Sequence, residues 1–349
     1  MPGLRVGPRV FLSPPEGGAG FRQCHAASLA LLPTGELLAA FFGGTKEGAG
    51  DCAIWLAHCT HGLWQAPRRI LAEPGMPHWN PVLHADGARL LLFYKAGGTV
   101  HSWQTRVAVS TDRGISWGAP RELVPDDPMP RGPVKNKLLV LADGAWLAPG
   151  SVEDARHWDA FVDRSADRGA SWTLSPIPLS HGHPASTGGG TPWQGLAANR
   201  LWESDPARAF AWDGVIQPSL WESMPGCVHA LLRSTRGVAY RSDSADGGLT
   251  WSAACPTPLA NNNSGLDLAR RSDGTLVLAC NPVSGNWSAR TPLVLMTSTD
   301  NGASWQQAAI LEDADGEFSY PAIIPTPDGG LHVAYTWNRA AIAWRAITR

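Results

Sequence analysis

The 349-residue sequence contains no long apolar run. Nowhere do about 18 consecutive apolar residues occur, which excludes a membrane-crossing helix, and the opening stretch MPGLRVGPRVFL lacks the apolar segment of a signal peptide. These absences predict a soluble chain that stays in the cytoplasm and does not engage a membrane. Charge of one sign is also missing: 28 Lys and Arg face 30 Asp and Glu, with no basic stripe, so nucleic acid is not an expected partner. The six cysteines, at 24, 52, 59, 227, 255 and 280, show no CxxC spacing and read as reduced, mostly buried thiols. Eleven histidines include no HExxH, and GGGT (188–191) lacks the Lys-Ser/Thr of a phosphate loop, so neither a metal nor a cofactor is expected.

Tryptophan, glycine and proline are plentiful instead. With 17 Trp, 38 Gly and 29 Pro among short apolar stretches, the composition favours many short strands joined by tight turns. One turn recurs. STDRGISW (110–117), SADRGASW (165–172), SADGGLTW (244–251) and STDNGASW (298–305) keep Ser, Asp, Gly, Ser/Thr and Trp at the same offsets. Their starts are separated by 55, 79 and 54 residues, a period near 50 that indicates a propeller or array. HCTHGLWQAPRRIL (58–71) reads as a decayed copy.

Each unit carries an alternating strand running into the turn, such as TRVAVS (105–110), and a second run led by a DG or TG pair, such as SDGTLVLAC. Six units result, about 22–72, 80–125, 132–178, 212–258, 264–311 and 316 to the end, with RVFLS (9–13) available to close the last. The expected fold is all-β, a single six-bladed β-propeller spanning 1–349, in which residues 179–213 form a loop insertion that caps the funnel with Trp193 or Trp202. Within the repeated turn, Asp accepts backbone N–H bonds, Gly supplies a positive φ, and Trp packs between neighbouring sheets, so Trp117, Trp172, Trp251 and Trp305 are expected at equivalent buried positions. Four equivalent copies cannot all face one substrate. The chemistry therefore lies elsewhere.

The pattern S-x-D-x-G-x-[ST]-W resembles the Asp box of the sialidase (neuraminidase) superfamily, and the likeness covers nearly the whole chain. The resemblance implies three arginines that hold a substrate carboxylate: Arg22 in FRQCHAASL, Arg233 in CVHALLRST and Arg290 in RTPLVLM. It also implies a tyrosine nucleophile leading the last blade, Tyr320 in GEFSYPAII, and a loop acid, Glu47 or Asp51 in FFGGTKEGAGDCAIW. Gln217 stands where the family places the glutamate that activates the tyrosine. Glu222 or Glu317 would have to substitute for it, or Tyr320 is not a nucleophile.

Other residues at strand starts, Asn80, Lys135, Asn136, Asn263 and Asp267, are types that bind sugar hydroxyls. His25, three residues after Arg22, is a core histidine or the general base of a lyase. Three functions follow: a sialidase-like exo-glycosidase acting on a terminal carboxylated sugar of an acidic glycan, a uronate-directed lyase using His25 and Tyr320, and a glycan-binding propeller without turnover.

Overall fold

The computed structural model describes residues 4–15, 20–182, 193, 195, 201–203 and 205–349. About half of the 179–213 segment lies outside the described residues. Gly-containing turns break the apolar runs at short intervals, and the chain folds as antiparallel meanders. The first comprises Gln23–Leu31, Leu37–Gly44 and Ala53–Thr60 with two short edge strands. The second contains His78–Asp86, Arg89–Ala96 and Gln104–Ser110, and the third Trp146–Glu153, His157–Ser165 and Thr173–Pro176. The fourth runs Asp213–Met224, Cys227–Ser234, Val238–Ser244 and Cys255–Ala260. The fifth runs Asp267–Arg270, Leu276–Cys280, Leu293–Ser298 and Gln306–Glu312.

Phe318–Pro325, Leu331–Trp337 and Ala341–Thr348 complete the set, and the N-terminal strands Arg5–Val6 and Val10–Phe11 pair with Ala341–Thr348. The closing strand expected near 9–13 therefore occupies that place. A two-residue parallel pairing, His157↔Asp213 and Trp158↔Gly214, joins the third and fourth meanders into one eight-stranded sheet. A short helix, Pro206–Ala211, is N-capped by Asp205. Among the described residues no helix is long and apolar enough to cross a membrane. All six cysteines are free thiols; four are buried and Cys255 is exposed.

The apolar faces meet between neighbouring meanders. Phe41 and Trp55 of the first pack on Ile324 and Trp344 of the last, Leu38 and Ile54 on Leu83 and Leu92, and Val82 and Phe93 on Trp146 and Ala148. Val162 packs on Val228 and Leu232, Leu231 on Leu278, and Leu295 on Val333. Every meander is thus buried on both sides, as the near-continuous apolar strands require.

The four repeated turns have one geometry. In the first, the Ser110 hydroxyl donates to Asp112 at 2.7 Å and accepts from the Gly114 amide at 2.8 Å, while Asp112 accepts the Ser116 amide at 2.9 Å. The turns at Asp167, Asp246 and Asp300 repeat these bonds. Two successive residues are left-handed, Arg113 and Gly114 at φ 63° and 84°, and a Cβ on Gly114 would come within 3.0 Å of Leu56 on the next meander. The tryptophans each pack between two meanders, but only Trp251 is buried outright. Trp117, Trp172 and Trp305 are half-buried.

A second repeated feature sits within or just ahead of each meander's first strand, which in the third meander is the short strand Leu139–Val140 pairing with Trp146–Glu153. Ala26, Asn80, Lys135, Gln217, Asn263 and Tyr320 all have φ between 42° and 67°. Where the pairing is recorded around them, the register slips: His25/Ser28, Trp79/Val82, Ile216/Ser219 and Ser319/Ala322. A left-handed non-glycine residue costs about 1–3 kcal/mol and persists only where its surroundings over-determine it. Asn80, Gln217 and Tyr320 also precede proline, which further disfavours a helical φ. Each bulge turns a side chain out of the alternating pattern.

Candidate functional site

The bulges aim unlike side chains at one point. A Cβ placed on Gly265 would lie 3.0 Å from Lys135, 3.4 Å from Gln217 and 3.4 Å from Tyr320, a tight fit that marks where the side chains of three other meanders converge. The Tyr320 phenol oxygen accepts from Arg233 Nη1 at 2.5 Å and from Gln217 Nε2 at 3.4 Å. Arg233 also donates to Asn263 Oδ1 at 2.8 Å and to Gln217 Oε1 at 3.2 Å, which fixes its plane. Two N–H groups directed at one phenol oxygen stabilise negative charge on that atom.

Two further guanidiniums complete a cationic group. Arg290 lies 5.6 Å from the Tyr320 ring, the same separation as Arg233. Arg290 donates to Glu317 at 2.9 Å, and Arg339 reaches both Glu317 oxygens at 3.1 and 3.2 Å and also Glu47. Burial pulls Arg290 down to about 10, with Glu317 opposing. Burial likewise works against the charge on Glu317, but Arg339 and Arg290 outweigh it and hold the carboxyl below its usual range. Three like charges share the region because Glu317 and Glu47 offset two of them.

His25 packs on the Tyr320 ring, and two carboxylates share a cavity with Tyr320. The His25 ring lies 4.1 Å from the Tyr320 ring, its Nδ1 meets the Thr336 hydroxyl at 2.8 Å, and its buried Nε2 has no partner. Burial first, then Arg339, Arg290, Arg233 and Lys135, drives its pKa well below 6.5, so His25 is neutral. Glu47, Glu153 and Tyr320 line one cavity of about 30 Å³ together with Asn80, Gln217 and Arg233. Its walls are Trp79, Trp103, Trp158, Trp202, Trp212 and Trp287. Trp193 covers the arginines, 3.9 Å from Arg290 and 5.1 Å from Arg339. Both tryptophans expected of the 179–213 segment are therefore beside the site.

Several sequence expectations are corrected by this placement. Arg22 is exposed and shares a shallow surface pocket with Asp51 and Thr45; Arg339 stands with Arg233 and Arg290 in its stead. Asp51 fastens its own loop by accepting the Thr45 amide at 3.0 Å, which separates it from Glu47. Glu222 closes a hairpin by accepting the amides of Gly226 and Ala142, each at 2.8 Å.

Lys135, Asn136 and Asp267 lie in the converging group, but their polar atoms are engaged with the fold. Lys135 Nζ donates to Asn136 Oδ1 and to the Leu266 and Pro321 carbonyls at 2.6–2.8 Å. Burial, partly offset by Asp267, pulls this lysine down to about 7. Asn136 donates to the Gln217 and Pro218 carbonyls, while Asp267 takes Lys137, the Ser219 hydroxyl and the Ile323 amide.

Sequence reasoning misses Arg339 and Glu153. Arg339 sits in a turn between the last two strands, where an arginine carries no local signal. Glu153 ends an apolar strand, and a carboxylate closing such a strand is a readable sign of an inward-facing acid. Among the described residues no cluster of His, Cys, Asp and Glu could hold a metal.

The family model described as BNR repeat-like domain matches residues 35–333. No curated protein matches the chain. Among solved structures, a protein of unknown function from Dyadobacter fermentans is 18% identical with a TM-score of 0.72, and 99% of each chain is covered. The Trypanosoma rangeli sialidase is 14% identical with a TM-score of 0.68, covering 93% of this chain and 55% of its own. The NanB sialidase of Streptococcus pneumoniae is 12% identical with a TM-score of 0.67, over 95% of this chain and 68% of its own. The chain thus spans little more than half of the trypanosomal enzyme. At these identities the likeness is one of fold: an all-β architecture matching sialidase propellers.

Proposed function

The chain belongs to the BNR repeat-like domain family, and from that premise we propose that it is a six-bladed propeller whose funnel hydrolyses the bond to a terminal carboxylated sugar of an acidic glycan. What supports six blades is the count of interfaces: six apolar cores, each shared by two neighbouring meanders, and six left-handed residues, one per meander. The glycosidase reading rests on one observation. The Tyr320 oxygen is held by Arg233 at 2.5 Å inside a group that also contains Arg290 and Arg339.

In this reading the guanidiniums bind the sugar carboxylate, and the phenol oxygen attacks the anomeric carbon. Arg233 and Gln217 N–H groups stabilise the developing phenolate. Gln217 cannot take the phenol proton, which passes to Glu47, the carboxylate paired with Arg339. The departing glycosidic oxygen is protonated by a cavity carboxyl group, and water then releases the sugar from Tyr320 with overall retention of configuration.

Release of fluorophore from an aryl α-sialoside, with a proton NMR signal for the retained anomer formed first, tests the assignment. An inverted first product, or turnover by Tyr320→Phe at the wild-type rate, would refute it. The neutral His25, whose Nε2 has no partner, favours a second reading, abstraction of a uronate C5 proton with Tyr320 as acid. Uronate-ended oligosaccharides would then gain the ultraviolet absorbance of a C4–C5 double bond, without fluorophore release from the sialoside.

A further inference from the structure

Two carboxyl groups in one cavity are held in opposite surroundings. Glu47 comes from the loop after Leu37–Gly44 and contacts Arg339. Glu153 ends the strand Trp146–Glu153, is 6% exposed, and leaves Oε1 buried without a partner. Its backbone carbonyl is held by His101 Nδ1 at 2.5 Å, so the residue is fixed while its side-chain oxygen is unengaged. A buried carboxylate oxygen without a donor is costly, whereas a carboxylic acid is tolerated and supplies an O–H to whatever enters. The two environments divide the labour between proton acceptor and proton donor.

We propose that Glu153 is the general acid of the funnel, giving its proton to the glycosidic oxygen of the departing group. The assignment rests on the glycosidase reading above. As the bond between the anomeric carbon and that oxygen breaks, the electron pair stays on oxygen, which takes the Glu153 proton and leaves as an alcohol. Tyr320 then carries the sugar and Glu153 is a carboxylate. Water attacks the anomeric carbon, its proton returns to Glu153, and the Tyr320 oxygen recovers the proton held by Glu47. Atoms and charges balance over the cycle.

The electrostatics agree with the geometry. Burial raises the Glu153 pKa to about 7 and Glu47 pushes it further up, while Arg233, Lys95 and the Ser151 hydroxyl pull it down. The group is therefore protonated at mildly acidic pH and ionises as the pH rises through about 7. Lys95 is itself committed to the Thr105 hydroxyl and the Pro130 and Arg131 carbonyls, at 2.6–3.0 Å, and does not pair with Glu153.

The test compares Glu153→Gln with wild type on sialyl-lactose, whose leaving alcohol needs a proton, and on an aryl α-sialoside, whose phenol does not. The variant should lose about 10²–10⁴-fold in kcat/KM on the first and less than about tenfold on the second. The alkaline limb of its pH profile should disappear, and Glu153→Asp should recover part of the sialyl-lactose rate with that limb restored. Equal loss on both substrates, or an unchanged alkaline limb, would overturn the acid assignment and leave the glycosidase reading standing. If wild type releases neither alcohol, both fall.

An infrared difference spectrum between wild type and Glu153→Gln provides a readout independent of turnover. A protonated-carboxyl band at pH 6 that vanishes above about 7 is expected of a buried carboxyl with this shift, and its absence at pH 6 would refute the proposal.

Discussion

The repeated turns at the rim and the bulges at the funnel share a backbone device and differ in what they attach to it. At the rim, left-handed residues recur with fixed chemistry: Ser, Asp, Gly and Ser/Thr make the same bonds in four copies. At the funnel, six left-handed residues recur with six different outcomes, Ala26, Asn80, Lys135, Gln217, Asn263 and Tyr320. A turn that satisfies only itself has the same chemical needs in every copy. A bulge that aims at a shared centre meets the side chains of other meanders, so each copy faces a different demand.

The largest effect should come from the funnel. Tyr320→Phe should lower kcat on an aryl sialoside by about 10³-fold or more, as loss of a nucleophile does, while calorimetry finds the melting temperature within a few degrees of wild type. Next, Arg339→Met leaves Glu317 and Glu47 without one of their cations. Urea unfolding should show about 3–5 kcal/mol of lost stability, the cost of breaking a buried ion pair.

At the rim the order of effects reverses. Trp251→Ala should cost about 3–5 kcal/mol by urea unfolding, the range for a buried aromatic, with kcat/KM essentially unchanged. A large kinetic effect there would break the division between rim and funnel.

Acid should separate the regions too. Bonds from Ser171, Thr250 and Ser304 are the main cause that holds Asp167, Asp246 and Asp300 down to about 2. Carboxyls depressed in the folded state contribute stability above their ordinary value near 3.8 and lose it as the pH falls toward about 2. The urea midpoint should therefore hold down to pH 4 as far as the rim is concerned, then fall. The smallest effect is at Arg113. Its counterpart in the third turn is Gly247, at φ 73°, so Arg113→Gly should change stability by less than about 1 kcal/mol, the relaxed φ offsetting an exposed ion pair with Glu36.

The same division explains what can be read from sequence. The rim is local: eight consecutive residues contain every bond of the turn, so its role is legible in the sequence alone. The funnel draws on residues from His25 to Arg339, and only those with a marked neighbourhood stand out. Tyr320, Gln217 and Asn80 share a legible trace, a polar residue before proline at the head of an apolar strand. Arg22 lies in a familiar segment, but its amide pairs with the Gly44 carbonyl and its side chain faces solvent. Arg339 has no such neighbourhood; its place is set by the long-range ion pairs to Glu317 and Glu47. Glu153 leaves a fainter trace, a carboxylate closing an apolar strand, but its burial and its empty hydrogen-bonding position are not properties of sequence.

The tryptophan wall has an optical consequence. Trp158 and Trp212 stack with centroids 5.1 Å apart, Trp212 and Trp202 at 5.4 Å, and Trp193 lies over Arg290. Indole transitions at such separations couple, so the cavity should give an exciton signature in near-ultraviolet circular dichroism. Excitation migrating along this stack samples the field of the arginines, and an anion settling among them would shift or quench the emission. The funnel carries its own chromophore, through which occupancy can be read with an inert carboxylated sugar, independently of turnover.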